Sequence, residues 1–104
     1  MKRKAKLKAV LINPETETVQ DVEIEHSLEA LQKAVDGYIE TVSFPQGHVM
    51  IVNEEGTFRP NFKTFEILGA IIHGPALIVG MGSSDFINTK IKAVTVEKLI
   101  AWNY

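Results

Sequence analysis

Residues 37–56, GYIETVSFPQGHVMIVNEEG, carry the pattern that decides the fold. YIETVSF alternates apolar and polar residues, which predicts a strand with one buried face. PQGH is typical of a turn, and VMIV is a short, wholly apolar run that indicates a strand buried on both faces. NEEG predicts a second turn, because Asn53 and Gly56 both tolerate left-handed backbone angles. We therefore expect a hairpin at a central position of a sheet.

The segments before this hairpin predict a second hairpin and a helix. KAKLKAVLIN (4–13) alternates lysine with alanine or leucine and then becomes wholly apolar, and TVQDVEIE (18–25) alternates apolar and polar residues with one position out of step. The turn NPETE separates the two segments. SLEALQKAVDG predicts a helix with Ser27 as N-cap, an apolar stripe along one side and Gly37 closing its C-terminus.

The segments after the hairpin are less regular. NFKTFEILGAIIHG (61–74) has a partly helical period and is expected to begin a helix. ALIVGMG (76–82) predicts a buried strand, SSDFINTK (83–90) a loop, and TVEKLIAW a short C-terminal helix capped by Thr95. Adjacent strands dominate over strict strand–helix alternation, so the predicted fold is α+β: a mainly antiparallel sheet with one to three short helices packed on it, in a single domain spanning 1–104.

Charge is segregated along the chain. Residues 1–8 hold five cations and no acid, whereas residues 9–66 hold eleven acids against three cations. The basic segment is interpreted either as an arm that contacts an anion or as a solvated edge strand whose lysines prevent aggregation. The sequence has no cysteine, as is typical of intracellular proteins, and no apolar run approaches the roughly 18–20 residues of a membrane span. We expect a cytoplasmic protein without a membrane partner.

No catalytic or metal-binding motif is present. The three histidines, His26, His48 and His73, are widely separated and match no metal-binding spacing. The glycine-flanked Ser83 and Ser84 lack the GxSxG pattern and the lysine of a P-loop, so their segment is interpreted as a weak phosphate-binding loop or as a connector. The sequence therefore predicts no enzyme, no metal and no cofactor.

Residues 53–65 favour binding instead. The polar residues Asn53, Arg59, Asn61 and Lys63 are interleaved with three phenylalanines. Arginine offers a forked donor to phosphate, asparagine can read a base edge, and an aromatic ring offers a stacking face. The alternative stays open that Asn53 only forms a turn, the phenylalanines are core and Arg59 is solvated.

The order of GYIETVSF, VMIVNEEGTFRPN and GPALIVG resembles a family of small domains of unknown function found in phages and mobile elements. The resemblance covers about residues 28–82, with Asp36 where the family carries a glycine and TFRPN where it often carries a Leu-Pro pair. Small phage proteins without catalytic residues often counter host defence, and some resemble sponges for cyclic nucleotide signals. By that analogy a homo-oligomer would form the pocket between its subunits, and the base and phosphate would be contacted by Tyr38, Arg59, Asn61 and Lys63.

The leading hypothesis is a non-enzymatic, phage-type immune-evasion protein that sequesters a cyclic dinucleotide in the cytoplasm of the infected bacterial host. Its expected ligand-binding residues are Tyr38, Asn53, Arg59, Asn61, Lys63, Ser83 and Ser84. An alternative is an acidic inhibitor or DNA mimic that binds a host defence enzyme, favoured by the acidic stretch 9–66. A third, less favoured hypothesis is direct binding of nucleic acid through residues 1–8.

Overall fold

A computed structural model describes residues 5–102 of the chain. These residues form strands, two α-helices and a 3₁₀ turn: β1 Lys6–Asn13, β2 Thr18–Glu25, α1 Leu28–Val35, β3 Ile39–Phe44, β4 His48–Asn53, the 3₁₀ turn Gly56–Phe58, β5 Thr64–Ile67, β6 Ala70–His73, β7 Ala76–Met81, β8 Phe86–Ile87, α2 Ala93–Glu97 and β9 Ile100–Trp102. Every strand pair is antiparallel, which confirms the predicted α+β class.

The strands form two sheets. The larger has the order β2-β1-β7-β4-β3, with β8 paired to the end of β7, and the smaller has the order β6-β5-β9. Since side chains alternate across a strand, each face of the larger sheet buries its own cluster. Val10, Met50 and Ile78 pack against Phe65 and the rest of the smaller sheet, whereas the opposite face packs on α1. The larger sheet is thus the middle of three layers.

The predicted hairpin of β3 and β4 forms, and β4 lies inside the sheet between β3 and β7. The predicted central position is wrong for β3, which ends the sheet. Helix α1 also forms as expected, with the Ala30 N–H donating to Ser27 Oγ at 3.2 Å. Gly37 takes part in the predicted closure, because its N–H donates to the C=O of Gln32 at 3.0 Å. Asp36 takes the left-handed conformation, with φ of 62°.

Strand β1 is an interior strand rather than an edge, because β2 flanks it on one side and β7 on the other. Its Lys6 and Lys8 lie opposite Glu25 and Glu23 of β2, so opposite charges face each other across the pair. The remaining basic residues of the predicted arm, residues 1–4, lie outside the described part of the chain.

The helix predicted over 61–74 is wrong, because this segment forms the hairpin of β5 and β6. Two-residue alternation buries Phe65 and Ile67, and the positive φ angles of Leu68 (50°) and Gly69 (85°) close a two-residue turn. The predicted loop over 83–90 contains the short strand β8.

The C-terminal helix predicted from Thr95 is also wrong in its bounds. Helix α2 spans only Ala93–Glu97, and the chain then returns as β9. Trp102 of β9 packs on Phe65 with ring centroids 6.1 Å apart, so the third strand completes the smaller sheet. The strand pairing that completes the smaller sheet therefore outweighs the helical spacing of the apolar residues in this segment.

Replacement of Leu68 by asparagine tests the β5–β6 turn. Leu68 is 55% exposed and holds a left-handed conformation that asparagine adopts with less strain. We expect Leu68→Asn to raise the free energy of unfolding by about 0.5–1 kcal/mol. Urea denaturation followed by circular dichroism measures this change, and a loss of stability would contradict the described turn.

Candidate binding surface

Helix α1 ends, β3 begins and β4 ends at one place, and Asn53 connects all three. Its side chain is buried, with 5% relative exposure. Asn53 Nδ2 donates to the C=O of Val35 and to the C=O of Asp36, both at 3.0 Å, and Oδ1 accepts from the Glu55 N–H at 2.8 Å. The amide therefore caps the helix C-terminus and shapes the turn after β4. Asn53 was predicted to bind a ligand, but its side chain makes these three hydrogen bonds within the protein.

Gly37 allows this arrangement by its close approach to the amide. A Cβ atom at Gly37 would lie 2.6 Å from Asn53 Nδ2, and the backbone there has φ of +155°. Both the contact and the backbone angle disfavour any larger residue. The glycine is thus needed where the chain passes over Asn53, while Asp36 takes the left-handed conformation at the helix end.

Arg59 holds the same helix end from outside. Its Nη2 donates to Asp36 Oδ2 at 2.8 Å, and its Nη1 donates to the C=O of Asp36 at 3.3 Å. The guanidinium also lies 4.4 Å from the centroid of the Phe62 ring. Because Asp36 is largely exposed, this ion pair stabilises the fold by less than about 1 kcal/mol. An anionic ligand would nevertheless have to compete with Asp36 for Arg59.

Two aromatic side chains project from this joint. Tyr38 is 67% exposed and Phe58 is 81% exposed. The backbone beneath each is fixed: the Glu54 N–H donates to the C=O of Tyr38 at 2.8 Å, and the Phe58 N–H donates to the C=O of Glu55 at 2.9 Å. We call the surroundings of the two rings the acidic-aromatic surface, formed by Asp36, Tyr38, Glu54, Glu55, Phe58 and Arg59.

A groove of about 300 Å³ borders the acidic-aromatic surface. It runs between β3 and β6, and Glu40 and Glu54 are among the residues that line it. Thr57, Ile71 and His73 line it as well, and Ile71 is 51% exposed. The groove therefore combines two acids with exposed apolar surface.

The predicted residues Asn61 and Lys63 are exposed and follow Arg59 along the same segment. The Phe62 N–H donates to the C=O of Arg59 at 2.9 Å, which closes a turn around Asn61. The Lys63 N–H then donates to Glu15 Oε1 at 3.4 Å, in the turn between β1 and β2. Arg59 is thus anchored to the end of α1 and Lys63 to the turn between β1 and β2. Asn61 lies between them in the chain.

Ser83 and Ser84 lie at the opposite end of the sheet. They follow β7 in a turn closed by the Gly82 N–H, which donates to the C=O of Asp85 at 2.8 Å. In the register of β4 and β7, His48 pairs with Gly80, so this loop meets the start of β4 while Asn53 ends it. An extended strand of that length spans about 20 Å. The structure therefore does not bring the two serines together with Tyr38 and Arg59.

The histidines do not form a metal site. Buried His48 donates from Nδ1 to the C=O of Gln46 at 2.9 Å and accepts at Nε2 from the Lys90 N–H at 3.0 Å, which is a structural role. His26 pairs with Asp85 at 3.3 Å. Among residues 5–102, no three or more histidine, cysteine or acidic side chains are grouped to hold a metal ion. In the same range, the helices are too short and too polar to cross a membrane.

Sequence reasoning missed two parts of this surface. Asp36 was noted only as a departure from a family pattern, yet it is the partner of Arg59. Phe58 was left open between core and stacking face, and the structure exposes it. The signal for Phe58 lies in its position between the NEEG turn and Pro60, outside the segments predicted as strands or helices.

The family model for DUF3846, described as a domain of unknown function, matches residues 7–100. No curated protein shows a significant match, and no solved structure does.

Replacement of Asn53 by alanine tests the joint. The variant loses three hydrogen bonds and leaves the C=O of Val35 without its donor, so we expect the free energy of unfolding to fall by about 2–3 kcal/mol. Exposed Asn61 offers a matched control, for which alanine should cost less than about 0.5 kcal/mol. Urea denaturation of both variants makes the comparison, and equal small losses would contradict the role of Asn53.

Proposed function

This chain belongs to the DUF3846 family, a domain of unknown function, and we propose that it acts as a non-enzymatic binding protein. The proposed ligand is a basic segment of a partner protein, held on the acidic-aromatic surface. One observation carries the proposal: Tyr38 and Phe58, two large rings on a fixed backbone, are 67% and 81% exposed among acidic residues.

The two rings have the character of binding anchors. Tyrosine is among the residue types that dominate protein interfaces, and an aromatic side chain brings much contact area with few rotatable bonds. The hydrogen bonds of Asn53 and the 3₁₀ turn order the backbone that carries both rings. A partner would therefore meet a surface that loses little conformational entropy on binding.

The charges around the rings favour a basic partner. Between residues 36 and 59 the chain carries Asp36, Glu40, Glu54 and Glu55 against a single arginine, and that arginine already pairs with Asp36. The adjoining groove is lined by two of these acids and has room for a lysine or arginine side chain, whose aliphatic stem would contact Ile71. Complementary charge would also speed the encounter of the two proteins.

The resemblance to small phage domains suggests the kind of partner. A phage protein without catalytic machinery would act in the cytoplasm of its bacterial host, and a host defence enzyme that handles nucleic acid presents a basic surface. On this proposal the carboxylates of the acidic-aromatic surface occupy the positions where that enzyme expects phosphates, as in a DNA mimic.

A second candidate is sequestration of a cyclic dinucleotide, because Asn61 and Lys63 are exposed in the same segment as Phe58. A base could stack on Phe58 and a phosphate could meet Lys63. Such an anion would, however, compete with Asp36 for Arg59 and would lie near Glu54 and Glu55. These charges make the nucleotide the less favoured ligand.

Two variants and a control test the proposal. Immobilised wild-type protein is used to capture host proteins, and each captured protein is purified and titrated by calorimetry. We expect Phe58→Ala and Glu54→Lys each to weaken binding about tenfold or more, as loss of an interface anchor does. Val94→Ala removes an exposed apolar side chain elsewhere and should change nothing.

Calorimetry also distinguishes binding of a basic protein segment from binding of a cyclic dinucleotide. Cyclic dinucleotides should give no heat with the wild-type protein. Heat with a cyclic dinucleotide that is lost in Lys63→Ala would instead support the nucleotide. Protein binding that survives both Phe58→Ala and Glu54→Lys, or the absence of any protein or nucleotide ligand, would contradict the proposal.

A further inference from the structure

Strand β3 ends the larger sheet, and its outer edge has no strand beside it among the described residues. The Glu54 N–H donates to the C=O of Tyr38, so these two residues form a hydrogen-bonded pair at the start of the hairpin. In an antiparallel pair such residues alternate with residues that bond outward. Ile39, Thr41 and Ser43 therefore direct their backbone N–H and C=O groups away from β4.

The other edges of the two sheets are protected or short. On β2, the His26 N–H donates to the C=O of Ala5, so the same alternation makes Asp21, Glu23 and Glu25 the outward-bonding residues. A row of acids on an edge opposes pairing with a second copy. Strands β6 and β9 have only four and three residues. By contrast, β3 has six residues, no lysine, no proline and one charge.

We propose that β3 pairs antiparallel with β3 of a second copy of the chain, about a two-fold axis at Thr41. This register places Thr41 opposite Thr41 of the second copy, Ile39 opposite Ser43, and Glu40 opposite Val42. All outward backbone groups of the strand then find partners.

Competing registers are less favourable. Centring the pair on Glu40 would set two carboxylates directly opposite each other, which is destabilising. Centring it on Val42 would shorten the ladder, because Pro45 then falls opposite Ile39 and has no N–H to donate. The Thr41 register avoids both problems and uses the full length of β3.

The pairing would join the two larger sheets into one continuous sheet and would extend the binding surface. Tyr38 would lie opposite Phe44 of the second copy, so the hairpin of one copy would border the acidic-aromatic surface of the other. A dimer of this kind presents two such surfaces, which would raise avidity for a partner with two basic segments. The interface itself does not depend on the identity of any ligand.

Single cysteines test the interface and its register, since the natural chain has none. Directly opposed residues in a hydrogen-bonded antiparallel pair have Cα atoms about 5.5 Å apart, within disulfide range. Thr41→Cys should therefore form a disulfide-linked dimer on mild oxidation. Ser43→Cys is the matched control on the same strand, because the two copies of residue 43 would be about 13 Å apart.

Proline substitutions provide a second test, which uses sedimentation and does not require cross-linking. Proline at position 41 removes an outward N–H that β4 does not use, so Thr41→Pro should fold and sediment as a monomer. Glu23→Pro, the equivalent change on β2, should remain a dimer. A wild-type chain that sediments as an 11.6 kDa monomer throughout, or equal cross-linking of Thr41→Cys and Ser43→Cys, would overturn the proposal.

Discussion

The hydrogen bonds of the Asn53 amide are the interaction on which the acidic-aromatic surface depends. One buried side chain satisfies two carbonyl groups at the end of α1 and one N–H in the turn after β4. Since a helix end leaves carbonyl groups without partners, a donor supplied by a neighbouring strand fixes both elements at once. Gly37 and Arg59 complete the joint, the first by leaving space and the second by holding Asp36.

The acidic-aromatic surface is a consequence of this joint. Tyr38 and Phe58 leave the chain on either side of Asn53, from backbone that the joint immobilises, and therefore reach solvent instead of folding into the core. Glu54 and Glu55 lie between the two aromatic residues because both acids belong to the turn that Asn53 shapes. Asn53 thus stabilises the fold at the place where the exposed rings and acids form the proposed binding surface. The open edge of β3 begins beside the same rings.

Two-residue alternation predicted β3 and most of β1 and β2, whereas β4 and β7 were predicted from apolar runs that are typical of strands buried on both faces. Helix α1 was predicted from its cap and its apolar stripe. The β5–β6 hairpin was mistaken for a helix, since Phe62, Phe65 and Leu68 happen to fall at helical spacing, and only the second sheet reveals that Phe65 belongs to a strand. The sequence predicted a turn at Asn53 but not its hydrogen bonds to the end of α1, because those partners lie 17 and 18 residues away.

The central claim is that the Asn53 joint holds the acidic-aromatic surface rigid before any partner arrives. Backbone ¹⁵N relaxation of the free protein tests this directly, residue by residue. If the joint is rigid, residues 54–58 will show order parameters close to those of the strands, about 0.85. Values below about 0.6 in this turn, with ordered strands on both sides, would contradict it.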